Sequence, residues 1–156
     1  MRCAMQGDNV VVQAIIREGR VARIATLSQQ GHPSITPIYF AAVRRQIWLG
    51  TSDWTLAVRQ VRADPRVSVL IAPELRPHDS RIVRVTGQAS ARTDTQAQML
   101  YTLHVALKYS LNPGQLRNTL AHAHLIRLRR RYHQQSAAKG SMCIIAVVPE
   151  RFELLP

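Results

Sequence analysis

Three β-rich segments follow one another between residues 21 and 50 with only tight turns between them, and this narrows the fold most. Residues 21–27 mix Arg23 among Val21, Ile24, Ala25 and Leu27. The turn SQQGH at residues 28–32 carries Gly31, and residues 33–42 are rich in β-formers: Ile35, Thr36, Ile38, Tyr39 and Phe40. Val43-Arg44-Arg45-Gln46 turns the chain into a short apolar return at residues 47–50. Connections this short join antiparallel neighbours, so the region predicts a three-stranded meander. Pro33 and Pro37 have no N–H to give, which argues against an uninterrupted central ladder along the second strand.

The meander hands the chain over, through Thr51-Ser52-Asp53, to a helix. That helix carries apolar Leu56, Ala57, Val58 and Val61 and basic Arg59 and Arg62, and it stops at Asp64-Pro65. The first turn of a helix has unpaired amides, and the helix dipole points the same way, so such a start suits an anion. The same hydroxyl and carboxylate residues also serve as plain caps. The turn alone allows both readings.

Elsewhere, residues 8–17 predict an opening helix capped by Asp8 or Asn9, with Val11, Val12, Ile15 and Ile16 on one side and Gly19 at its C′ position. Residues 66–72 form a strong strand, 73–79 a loop with two prolines, and 81–91 a strand broken or bulged at Gly87. Residues 95–131 read as helix in two pieces, with Met99, Leu100, Leu103 and Leu107 in the first. The second resumes at Leu116, Leu120, Leu125, Leu128 and Tyr132 after Asn112-Pro113-Gly114. A continuous apolar strand at 142–148, Pro149 and a short extended tail at 152–155 close the chain. With no repeat, low-complexity tract or linker, residues 1–156 read as a single domain. About six hairpin-connected strands against three or four helices give a mainly β, α+β chain: an antiparallel sheet curled into a barrel with helices outside.

A chain of 156 residues can bury a core without disulfides. Its two cysteines, Cys3 and Cys143, make no framework and no C-x-x-C pair, which fits a reducing cytoplasm. No secretory signal and no stretch of membrane-spanning length occur. Lys and Arg exceed Asp and Glu by 21 − 9 = 12, a surface that attracts phosphates, acidic cofactors, nucleic acid or anionic membrane. From Thr95 to Pro149 there is no carboxylate, and the run Arg127–Arg131 reads as a solvated basic face or as a clamp on an acidic group. The few tyrosines nearby (Tyr101, Tyr109, Tyr132) make a thin stacking platform for single strands. His104, His122, His124 and His133 lack carboxylate or cysteine company, and His122 and His124 fall on different faces of a helix, so no metal site is expected. Trp48 reads as a core strand residue; Trp54, at the helix start, is the better one to pack on a ligand. Neither G-x-S-x-G nor G-x-G-x-x-G is present.

The order of elements and a series of local strings resemble the FMN-binding split-barrel group, the pyridoxamine 5′-phosphate oxidase-like proteins. The resemblance rests on Gly19-Arg20-Val21-Ala22, Gly31-His32-Pro33, Pro37-Ile38-Tyr39-Phe40 and Ile47-Trp48-Leu49-Gly50-Thr51-Ser52. It continues through Val61-Arg62-Ala63-Asp64-Pro65-Arg66-Val67-Ser68, Arg84-Val85-Thr86-Gly87-Gln88-Ala89 and Val148-Pro149-Glu150-Arg151. It implies a six-stranded antiparallel split β-barrel with flanking helices that forms a homodimer, with a flavin in the groove between subunits. FMN is the first expectation and a deazaflavin the alternative. By the same resemblance Pro37, Ile38 and Tyr39 lie near the isoalloxazine ring, and Gly50, Thr51, Ser52 and Thr55 receive the ribityl phosphate. Trp54 flanks that turn. The helical insertion at about 94–133 would cover the groove or extend the dimer interface.

One departure stands out. Many relatives place Arg or Lys in the first turn of the helix, where this chain has Leu56 and Ala57. Either Arg59, one turn on, or Arg44, Arg81 or Arg84 then supplies the charge, or the cofactor differs or is absent. The implied activity is a flavin- or deazaflavin-dependent oxidoreductase acting on a small molecule, with no catalytic residue assigned because the cofactor carries the hydride. The alternatives are an inactive split barrel that binds a ligand or haem, and a basic protein that binds nucleic acid or an acidic partner.

Overall fold

Asn9 opens the first helix, α1 (Val10–Glu18), its side chain accepting a hydrogen bond from the Val11 amide at 2.9 Å in the computed structural model, which describes residues 9–73, 80–110 and 140–156. Val12, Ile15 and Ile16 form its buried side. Gly19 is the C-cap, yet its φ of −58° is ordinary. It is small because a Cβ there would lie 2.5 Å from the Ile71 side chain.

The strands are β1 (Val21–Leu27), β2 (Pro33–Val43), β3 (Gln46–Ser52), β4 (Arg66–Ile71), β5 (Ile82–Arg92) and β6 (Met142–Leu155), with α2 (Leu56–Ala63) after β3 and α3 (Thr95–Ser110) after β5. They close into an antiparallel barrel in the order β1-β2-β3-β6-β5-β4, the mainly β architecture expected. Alternation decides what faces inward: Ile24, Phe40, Leu49, Val69, Val83, Val85, Ile145 and Val147 fill the interior. Val12, Ile15 and Ile16 of α1 and Ala57, Val58 and Val61 of α2 join the same core. A second cluster lies on the outer face, where Ala97 and Tyr101 of α3 cover Ala41, Val43, Trp48, Ile144 and Ala146.

The expected bulge is present. Register shifts between Thr86 and Gly87, where β6 passes Pro149-Glu150. The bulge lets one strand run through Pro149, so the 142–148 strand and the 152–155 tail are a single β6. At the other end of α2, Asp64 accepts from the Arg66 amide and guanidinium. The Arg66 bonds hold its carboxyl at about 2 against an ordinary 3.8, so their stabilisation is complete above 3.8 and is lost as pH falls toward 2.

The β2–β3 hairpin turns on two residues, Arg44 and Arg45, at φ 48° and 65° between the paired Val43 and Gln46. Positive φ at both positions marks a type I′ turn, which favours Asn-Gly and disfavours long side chains. Replacing the pair with Asn-Gly is expected to stabilise the protein by about 1–2 kcal/mol, read as a higher urea midpoint with unchanged slope. A lower midpoint would show that the arginine side chains contribute more than their backbone conformation costs.

Candidate functional site

The ladder between β2 and β3 starts at Val43 and Gln46 and stops at Phe40 and Leu49. The next pair in register would be Tyr39 and Gly50. From there β2 runs back to Pro33 beside β1 alone, and β3 runs on to Ser52 beside β6 alone. The barrel is therefore split between these half-strands. Both prolines of β2 lie in the half without a β3 partner, which explains how an eleven-residue strand tolerates them.

Most of the residues expected to meet a cofactor gather at this split. Pro37 and Tyr39 are exposed, and Gly50, Thr51 and Ser52 are half-buried on the facing strand. Ile38 is placed differently: alternation turns its side chain into the core at 7 % exposure, so only its backbone is available to a ligand. Trp54 stands out at 49 % exposure, with Gly140 held so close that a Cβ there would sit 2.7 Å from the indole.

The turn into α2 is built from its own hydroxyls. The Thr55 hydroxyl donates to the Ser52 carbonyl at 2.8 Å, Thr51 and Thr55 hydroxyls lie 3.4 Å apart, and the Asp53 amide donates to the Ser141 carbonyl at 3.0 Å. Thr55 occupies the N-cap position but makes no side-chain capping bond, and no acidic residue stands in the first turn. The α2 start thus presents amides without a capping side chain beside three hydroxyl residues, a donor set that suits a phosphate. It is fixed to the barrel by Gln60, buried at 5 % exposure, which accepts from the Thr26 hydroxyl and donates to Ser34 Oγ at 3.1 Å. This anchor gives no sequence signal beyond a polar residue on the apolar side of an amphipathic helix.

The cations stand as follows. Ala57 is buried in the inner core, where a charge would be excluded, whereas Leu56 is 48 % exposed. Arg59 is exposed on α2. Arg44 lies at the opposite end of β3, and Arg84 is paired with Glu153. Cys143, opposite Thr51 in the β3–β6 ladder, is fully buried; burial pushes its thiol up, which keeps it neutral and inert.

Tyr101 was not among the expected site residues. Its hydroxyl donates to the Tyr39 carbonyl at 2.9 Å, and its ring lies over Gly50 so closely that a Cβ there would come within 2.5–2.6 Å of the phenol carbon and oxygen. Burial pushes this phenol up to about 12, so it remains a donor throughout the ordinary pH range. Tyr109, two turns on, reaches the carbonyls of Arg20 at 2.5 Å and Phe40 at 3.0 Å and meets the Tyr39 ring edge-on. The spacing of eight between these tyrosines, which places both on one helix face, was the available signal.

Among the described residues no group of three or more His, Cys, Asp or Glu could hold a metal, and no helix is long and apolar enough to cross a membrane. His104 bonds only the Leu100 carbonyl in its own helix. His122, His124, His133, Arg127–Arg131 and the second helical piece lie outside the described residues.

Many solved structures share this fold, three of them as follows. A conserved hypothetical protein from Mycobacterium tuberculosis superposes with a TM-score of 0.67 at 18 % identity, covering 97 % of this chain and 85 % of that one. A FAD-binding protein from Mesorhizobium loti gives 0.62 at 16 % identity, over 99 % and 96 % of the two chains. An F420 reductase gives 0.60 at 17 % identity, over 90 % and 94 %. No curated protein matches the sequence. The family model for pyridoxamine 5′-phosphate oxidase matches residues 11–155, nearly the whole length, and the chain belongs to that family.

Proposed function

We propose that this chain is a cytoplasmic, homodimeric oxidoreductase that binds FMN, or alternatively a deazaflavin, in the split between β2 and β3 and acts on a small molecule. In this reading residues 1–156 form one domain, with residues 94–133 as its helical insertion. The observation that carries it is the start of α2: amides without a capping side chain, ringed by Thr51, Ser52 and Thr55, just beyond the point where the β2–β3 ladder ends. Family membership and the flavin and F420 named for two similar structures support the same choice. Bound there, the cofactor would supply hydride chemistry. The chain's own part would be to hold the phosphate at Thr51, Ser52 and Thr55, with Arg59 one turn away, and to flank the flavin with Pro37, the Ile38 backbone, Tyr39, Gly50 and Trp54.

The test is titration of the purified protein with FMN and with F420, followed by flavin fluorescence and absorbance. Leu56→Arg places a cation at the exposed first-turn position that Ala57 cannot serve. It is expected to tighten FMN about ten- to a hundredfold, one charge-assisted bond of roughly 1.5–3 kcal/mol. A protein that takes up neither cofactor, with or without that substitution, would sink the proposal. A second reading, a barrel that binds a ligand such as haem without redox turnover, is favoured by Leu56, Ala57 and the Tyr101 ring over Gly50. It predicts a haem spectral change on titration and no flavin uptake.

A further inference from the structure

Tyr101 stands at the point where the split begins. Its hydroxyl is bonded to Tyr39, the last residue of β2 before pairing with β3 starts, and its ring rests on Gly50, the first residue of β3 beyond that pairing. The proposed flavin would span these two places, with its ring beside Tyr39 and its phosphate beyond Gly50. Tyr101 is 5 % exposed and closes the outer face between them. Beyond Gly50, Thr51, Ser52 and Thr55 are half-buried.

The rest of α3 is held to the barrel by side chains: Ala97 packs in the outer cluster with Tyr101, and Lys108 lies over the Phe40 ring. Its polar anchors include side-chain donors to main-chain carbonyls, Gln98 to Met142 at 2.8 Å, Lys108 to Ile16 at 3.1 Å, and Tyr109 to Arg20 and Phe40, and the Phe40 amide donates to the Tyr109 hydroxyl at 3.4 Å. None of these carbonyls belongs to α3 itself, so the helix ladder does not depend on these contacts. Glycine at position 50 fits this role, since any side chain there would displace the Tyr101 ring.

We infer that Tyr101 is a specificity-determining gate on the split: with α3 docked, the phosphate seat at the α2 start stays open while the passage to the Tyr39 end is shut, so phosphate-sized anions enter and a full flavin enters only when Tyr101 withdraws. This rests on the flavin reading above. It assigns to Tyr101 a role in selecting ligands by length, separate from holding the phosphate.

The experiment compares the full chain with Tyr101→Ala and Tyr101→Phe, using two probes. Inorganic phosphate is followed by NMR shifts of the amides at residues 51–57, and FMN by fluorescence quenching. Tyr101→Ala is expected to bind FMN at least tenfold more tightly than the parent while binding phosphate equally. Tyr101→Phe, which keeps the ring and loses the bond to Tyr39, is expected to show a gain of only two- to threefold. Near-UV circular dichroism and thermal melts establish that each variant is folded. The Phe variant provides the comparison if the Ala variant is not. FMN affinity that is unchanged or weaker in the folded variants, with phosphate shifts intact, would overturn the gate and leave the phosphate seat standing. Absence of both phosphate shifts and FMN binding in every protein would overturn the flavin reading and the gate with it.

Discussion

Gly87→Ala is expected to destabilise the protein by about 3 kcal/mol, the upper end of the range for overpacking. The cause is a backbone approach and not a special φ: among the described glycines only Gly31 has a positive φ, at 79°. At the β5–β6 bulge the Val148 carbonyl turns toward Gly87. An added Cβ would fall inside the contact distance of that oxygen and lie 3.0 Å from its carbon and 3.1 Å from Pro149 Cα. A flexible side chain would move aside cheaply, but these atoms belong to the bulge itself. Relief requires shifting β6 across the long ladder that closes the barrel. Thermal unfolding should fall by roughly 6–12 °C, without loss of the far-UV spectrum at low temperature. A shift under two degrees would show that the bulge is soft.

Arg84→Ala is expected to cost about 3 kcal/mol at neutral pH, the lower end for breaking a buried pair. Arg84 and Glu153 face each other in register on β5 and β6, and the Glu153 side chain keeps only 5 % exposure. The Arg84 Nε donates to the carboxylate at 2.6 Å, and its guanidinium forms the ion pair. Without Arg84 the carboxylate retains Arg151 at 3.3 Å, a side chain 49 % exposed and therefore a weak partner. Desolvation, not the lost Coulomb attraction, dominates the cost. Replacing both members, Arg84→Leu with Glu153→Leu, should accordingly restore most of the stability. A double variant as unstable as the single one would refute this account, with urea denaturation as the measurement.

The strands were legible because their signals are local. β-formers, Gly31, the Arg44-Arg45 turn and the prolines place β1 to β3 within a residue or two of the structure. Gly87 also announced the bulge. The face that α3 buries was not legible. Met99, Leu103 and Leu107 recur at helical spacing, yet they are 69 %, 56 % and 51 % exposed, while Ala97 and Tyr101 pack inward. The outer surface of the barrel explains this: Ala41, Gly50 and Ala146 are small and leave room for an aromatic ring, and their proximity depends on pairing between distant strands. The same dependence hid Gln60, whose partners Thr26 and Ser34 are 34 and 26 residues away. Within the candidate site, Thr51, Ser52 and Asp53 were legible as a turn before a helix, and Thr55 came from the family resemblance. The inward orientation of Ile38 follows from strand alternation, but its relation to the split depends on where the β2–β3 ladder ends.

The half of β2 that lacks a β3 partner has a consequence for solubility. Positions 33, 35, 37 and 39 share one edge, and the Tyr39 carbonyl on that edge is taken by Tyr101. Two of those four positions are proline, so every second amide that an incoming strand would need is missing. Another copy of the chain therefore cannot extend the sheet there in register, and the net charge of +12 adds repulsion at long range. The opening that would admit a ligand is in this way closed to amyloid-like strand addition.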